Sequence, residues 1–107
     1  MSYNLKIQML KGCTKCKSYQ KDLEDNGIVF HGVYCEEEPS DCDNIEGITN
    51  CSTYPVTILD YNDKVTIYYI GNDYKDLGTI KEHGGRVRSI AVHSIDNMLS
   101  EVKKALN

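Results

Sequence analysis

Two cysteines three residues apart, in the run Cys13-Thr14-Lys15-Cys16, carry the plainest chemical capacity of this chain. On a helix that spacing places the second thiol about one turn beyond the first. A cysteine at the helix start faces unpaired backbone N–H groups and the positive end of the macrodipole. Both favour the thiolate, which is the attacking form of the side chain. A second thiol within reach can then displace whatever disulfide the first one forms. The pair suits a shuttle between dithiol and disulfide, with Cys13 as nucleophile and Cys16 as resolving thiol.

The remaining cysteines are Cys35, Cys42 and Cys51, which makes an odd total of five. A secreted disulfide scaffold more often has an even set and a leader. The first ten residues are broken by Asn4, Lys6 and Gln8, so they do not read as a secretory apolar segment. The expectation is a cytoplasmic protein. For Cys35 and Cys42, buried inert thiols are the simpler expectation and a second disulfide the alternative. A zinc site on Cys13, Cys16, Cys35 and Cys42 is the rival from another class, either as a zinc-binding domain or as a non-catalytic binding module with structural cysteines. Cluster binding by a dimer is a minor option. For Cys51, four residues before Pro55, a packing role is the expectation and a place near the site the alternative.

The elements that must position the pair follow from hydrophobic period and turn residues. Tyr3, Leu5, Ile7 and Met9 alternate with polar residues as in a strand. After Lys11-Gly12, the segment from Cys13 to Asp25 has Cys16, Tyr19, Gln20 and Leu23 on one helical side, and Asn26-Gly27 is a stop signal. Residues 28–34 predict a strand, and the acidic segment 36–46 predicts a solvated loop with a short helix near Cys42–Gly47. Val56–Leu59 and Val65–Ile70 predict a hairpin around Asn62-Asp63. Ile95, Met98, Leu99, Val102 and Leu106 mark a closing helix capped by Ser94. The Gly-rich stretch 71–93 predicts loop or a short helix only.

Composition narrows the function. The chain has 107 residues, a hydrophobic share of 40% and a formal net charge of −4. That size suits one domain, 1–107, and the acidic balance argues against nucleic-acid binding, which rests on basic charge. No apolar run reaches the ~20 residues of a membrane span. Lys6, Lys11, Lys15, Lys17 and Lys21 precede the first acid, Asp22. Lys15 and Lys17 at the helix start therefore oppose the macrodipole, and rules broken in this way often mark a site. Lys11, Lys15 and Lys17 are candidates to favour the thiolate and to attract an anionic partner; the alternative is a merely solvated face.

Strand, helix, strand, linking segment, hairpin and closing helix, with a CxxC after the first strand and Thr53-Tyr54-Pro55 before the third, together resemble the thioredoxin/glutaredoxin family. The resemblance implies a thioredoxin fold with a four-stranded mixed sheet (βαβ then ββα) flanked by helices. It implies that the Tyr54–Pro55 bond is cis, that this loop lies against the CxxC, and that Thr53, Tyr54 and Pro55 receive the disulfide substrate. Ile70-Gly71-Asn72-Asp73-Tyr74-Lys75-Asp76-Leu77 is similar to the segment with which glutaredoxins hold glutathione, which makes Lys11, Lys15, Gly71 and Asp76 candidate substrate contacts. The chain departs from thioredoxins in lacking Trp and in having Thr14-Lys15 between the cysteines. The implied activity is disulfide exchange by a monomer on protein or glutathione mixed disulfides, with no resident metal or organic cofactor. Glutathione would be a co-substrate, or an upstream reductase the electron source.

His31, His83 and His93 have no triad or metal-ligand spacing and are expected at the surface. Gly84-Gly85-Arg86 with Arg88 lacks the strand–loop–helix setting of a phosphate site and predicts a turn. The tyrosines of the second half predict strand packing.

Overall fold

A computed structural model describes residues 2–107. The strands are β1 (Asn4–Met9), β2 (His31–Tyr34), β3 (Val56–Tyr61), β4 (Lys64–Ile70), β5 (Ile80–His83) and β6 (Val87–Val92). The helices are α1 (Thr14–Asp25), α2 (Pro39–Thr49) and α3 (Ile95–Leu106), and one 3-10 turn covers Tyr74–Asp76. The strands form one six-stranded sheet in the order β2-β1-β3-β4-β6-β5. β1 is parallel to β2 and β4 to β6, while β3 runs antiparallel to both β1 and β4, and β5 antiparallel to β6.

Alternation along β1 divides the molecule into layers. Leu5, Ile7 and Met9 join Cys16, Tyr19 and Leu23 of α1 and Met98 and Val102 of α3 in one buried cluster. Lys6 and Gln8 point the other way and bond Asp41 of α2. On that second face Ile58, Ile67, Tyr69 and Ala91 meet Ile45 and Ile48 of α2. Inside the first cluster the Tyr19 hydroxyl lies 2.7 Å from Thr57 Oγ1, so its polar end is satisfied where burial pushes its pKa far up despite that bond.

Three expectations are corrected. The sheet is not four-stranded, and a thioredoxin fold is not shown: Ile80–Val92 supplies β5 and β6, with the Gly84-Gly85 reversal between them. Val87 and Ala91 cover one face of β4's neighbour while Ile90 and Val92 join the opposite cluster, so this glycine-rich stretch has the two-sided alternation of a strand. The acidic segment is not mostly loop. Pro39 stands at the first turn of α2, where its missing N–H and fixed φ cost nothing, and Cys42, Ile45 and Ile48 form its apolar stripe while Asp43 and Glu46 stay outside and Asp41 turns to Lys6 and Gln8. Finally, β2 begins at His31 rather than Ile28; Ile28 and Phe30 pack against the core, and the Val29 N–H is bonded by the Tyr3 hydroxyl at 2.9 Å instead of a strand partner.

A dithiol at the carboxyl end of the sheet

β1, β2, β4 and β6 run in one direction, so their carboxyl ends share one edge of the molecule with the amino ends of β3 and β5. Crevices for ligands in open sheets form at such an edge. Cys13 follows β1 there. Its N–H is bonded to the Leu10 carbonyl at 3.2 Å, and Gly12 between them has φ +78°, a left-handed conformation that glycine adopts without steric cost. Cys13 is the N-cap of α1, with extended backbone, and its Sγ accepts the Cys16 N–H at 3.2 Å. No acidic residue stands in the first turn.

The two sulfurs form a disulfide across a Cα–Cα distance of 5.2 Å. Cys13 is half-buried, whereas Cys16 is 2% exposed and belongs to the core cluster. Of the two residues, Cys13 is therefore the one partly accessible from outside.

The Tyr54–Pro55 bond is cis, as the resemblance implies. Val56 pairs with Gln8, so the loop that ends at Pro55 sits at the same sheet end as Met9 and the turn into Cys13. Thr53 Oγ1 donates to the Ile70 carbonyl at 2.7 Å, which ties this loop to the exit of β4. Burial pushes the Tyr54 hydroxyl pKa up, and the carboxylates of Glu46, Asp43 and Glu36 push it the same way. Gly71 donates its N–H to the Val92 carbonyl at 3.0 Å; a Cβ there would stand 2.7 Å from Ala91 Cβ and 3.0 Å from Leu77 Cδ2. Only glycine permits that approach of β4's exit to β6.

An open groove of about 470 Å³ runs between the start of α1 and the start of α3. Thr14, Lys15 and Ser18 form one wall, His93, Ser94 and Asp96 the other, and Ile70 lies between them. Lys15 is thus brought to this groove, whereas Cys13, Thr53, Tyr54, Pro55 and Gly71 do not line it. Lys11 and Asp76 are not in its lining. Lys11 Nζ pairs with Glu37 at 3.1 Å and stands 6.0 Å from the centre of the Tyr34 ring. Asp76 pairs with Lys81 at 3.2 Å. His31 and His93 are exposed and His83 is half-buried against Ser89 Oγ at 2.8 Å.

Cys35 and Cys42 are joined in a second disulfide, Cα–Cα 5.7 Å, rather than remaining as inert thiols. Cys51 is the free cysteine; its Sγ accepts from Asn72 Nδ2 at 3.3 Å and lies 3.8 Å from the Ile70 carbonyl. The zinc reading needs four thiols around one ion, and among the described residues no group of His, Cys, Asp or Glu is so arranged. No helix there is long and apolar enough to cross a membrane.

Sequence reasoning missed three parts of this edge: the groove wall at His93–Asp96, the Ile70 carbonyl, and the Glu36 carboxylate that receives the Lys11 N–H. The Ser94 cap signal pointed to the start of α3, but the neighbourhood of that start depends on β6, which the glycines obscured. No protein-family model matches the chain, and no curated protein or solved structure matches it.

Proposed function

We propose that the chain is a thiol–disulfide oxidoreductase, using the dithiol chemistry of the thioredoxin/glutaredoxin family in a sheet of different extent. The observation that carries this is the pairing of a half-buried N-cap cysteine with a buried second cysteine one turn along the same helix. In the reduced chain the Cys13 thiolate attacks one sulfur of a substrate disulfide. A Cys13–substrate disulfide forms and the other substrate sulfur leaves as a thiol, taking a proton. The Cys16 thiolate then attacks Cys13 Sγ, so the Cys13–Cys16 bond closes and the second substrate thiol departs. Two electrons and two protons pass to the substrate. A dithiol reductant or two equivalents of glutathione returns the pair to its starting state.

The backbone supplies the activation: the Cys16 N–H already points at Cys13 Sγ, and a thiolate strengthens that hydrogen bond. Lys15 favours substrates with negative charge near the disulfide. Protein disulfides and glutathione mixed disulfides are both candidate substrates, with no resident metal or organic cofactor in the cycle.

A turnover assay on a glutathione mixed disulfide and on insulin, run with Cys13→Ser and Cys16→Ser, tests the proposal. Turnover with at least one substrate, abolished by Cys13→Ser, is expected. Loss with Cys13→Ser alone on the glutathione substrate would mark a glutathione-dependent route, and loss with both variants a dithiol route. No turnover of either substrate, or activity retained in Cys13→Ser, overturns the proposal.

A further inference from the structure

The link from β2 to α2 does more than connect them. Cys35 donates its N–H to the Met9 carbonyl at 2.9 Å, extending the β1–β2 pairing by one step. The Glu37 and Glu38 N–H groups both reach back to the Tyr34 carbonyl at 3.0 Å. The disulfide from Cys35 to Cys42, 8% and 3% exposed, closes this link into a loop of fixed ends. At its mouth the Glu36 carboxylate accepts the backbone N–H of Lys11 with both oxygens, at 2.9 and 3.2 Å. Glu37 holds the Lys11 ammonium at 3.1 Å. The next residue is Gly12, and the one after it is Cys13.

We propose that Glu36 is a positioning residue for Cys13: held by the Cys35–Cys42 loop, it fixes the Lys11–Gly12 turn and so delivers the Cys13 sulfur to the N-cap of α1. The functional side of this rests on the oxidoreductase proposal. A carboxylate this close to the pair would ordinarily oppose a thiolate. Both of its oxygens are engaged by the Lys11 amide N–H, while the Lys11 ammonium is held by the neighbouring Glu37, so it serves as an anchor for the turn. The two disulfides then divide their labour by exposure. Cys13 is open and cycles, while Cys35 and Cys42 are buried and stay oxidised as a staple under the turn.

The test reads Cys13 directly, by its alkylation rate with iodoacetamide against pH in a Cys16→Ser, Cys51→Ser background, with the labelled residue identified by mass. Glu36→Gln keeps an acceptor oxygen and removes the charge; Glu36→Ala removes both. The Gln variant is expected to react at least as fast as its parent. The Ala variant is expected to react roughly threefold more slowly near pH 7, with its profile moved to higher pH, the scale of one lost hydrogen bond. Equal rates in the two variants overturn the proposal. Cys35→Ser with Cys42→Ser should slow Cys13 to the same degree, with no further slowing when Glu36→Ala is added; additive losses overturn it. Should the serine pair fail to fold, the two Glu36 variants decide alone. Alkylation does not depend on turnover. Alkylation rates that respond as expected in a chain with no turnover would sink the oxidoreductase proposal and keep Glu36's role; the reverse pattern would sink only the latter.

Discussion

The backbone N–H of Cys16 lies 3.2 Å from the sulfur of Cys13, so the residue proposed to resolve the mixed disulfide also stabilises its attacker. A side-chain acceptor at an N-cap is ordinarily a hydroxyl or carboxylate oxygen. A sulfur in that place is a poor cap as a neutral thiol and a good one as a thiolate, which couples the start of the helix to the charge of Cys13. The first turn then carries Lys15 and Lys17, and no acid, so the local charge favours the ionised sulfur at the expense of the helix.

Lys15 tests that trade. Lys15→Ala removes an adverse charge from the helix start and should stabilise the fold by a few tenths of a kcal/mol. Exchange with an anionic disulfide substrate should slow about two- to fivefold at low salt, and the difference should fade as salt screens it. Stopped-flow rates at two ionic strengths check this. A salt-independent difference, or none, would remove Lys15 from substrate attraction.

Gly71→Ala probes the joint between the two halves of the sheet. The added methyl would meet Ala91 Cβ at 2.7 Å, and Ala91 is buried in β6, so the strand itself must shift. A loss of about 1–3 kcal/mol in stability is expected. The Leu77 contact is with the far end of a flexible side chain and relieves little of it. A thermal midpoint equal to that of the parent would contradict the close approach.

Asp41 gives the fold a pH dependence. Burial pushes its pKa up, but hydrogen bonds from Lys6 and Gln8, with the charges of Lys6 and His31, outweigh this and hold the carboxyl below its usual range. A group with a depressed folded pKa adds stability that is fully present above its unfolded pKa of ~3.9 and is lost as pH falls through the folded value. Asp41→Asn should therefore cost about 1 kcal/mol near pH 7, a figure kept small because the Lys6–Asp41 pair is about one-third exposed. The difference should shrink below about pH 4. Denaturant midpoints at the two pH values check it, and a difference independent of pH would assign the loss to packing.

Much of this was readable from sequence because the informative segments bury one side. β1, α1 and α3 each alternate apolar and polar residues at a single period, so Leu5, Ile7 and Met9, or Met98 and Val102, declare the face that packs; β4, covered on both faces, is legible instead from its run of β-branched and aromatic residues. α2 was obscured because Glu36, Glu37 and Glu38 just before it and Asp41, Asp43 and Glu46 within it surround the stripe of Cys42, Ile45 and Ile48, and charge read as solvation. β5 and β6 were obscured by the glycines before and between them, and by β6 having both faces covered rather than one. At the site, the CxxC spacing pointed to the pair of cysteines that the structure joins, and the family resemblance, rather than spacing, pointed to the cis Tyr54–Pro55 bond. The anchoring of Lys11 by Glu36 depends on residues 25 apart in sequence and on a disulfide whose pairing spacing alone left open. Nothing in local pattern encodes that contact.

The most direct test of the dithiol proposal is to trap its intermediate. Reduced Cys16→Ser protein, mixed with a glutathione disulfide substrate and analysed intact and after digestion, should carry one persistent adduct on Cys13, while the parent chain shows the Cys13–Cys16 bond and released thiol. An adduct on Cys51 in place of Cys13, or no adduct at all, would contradict the assignment of attacker and resolver.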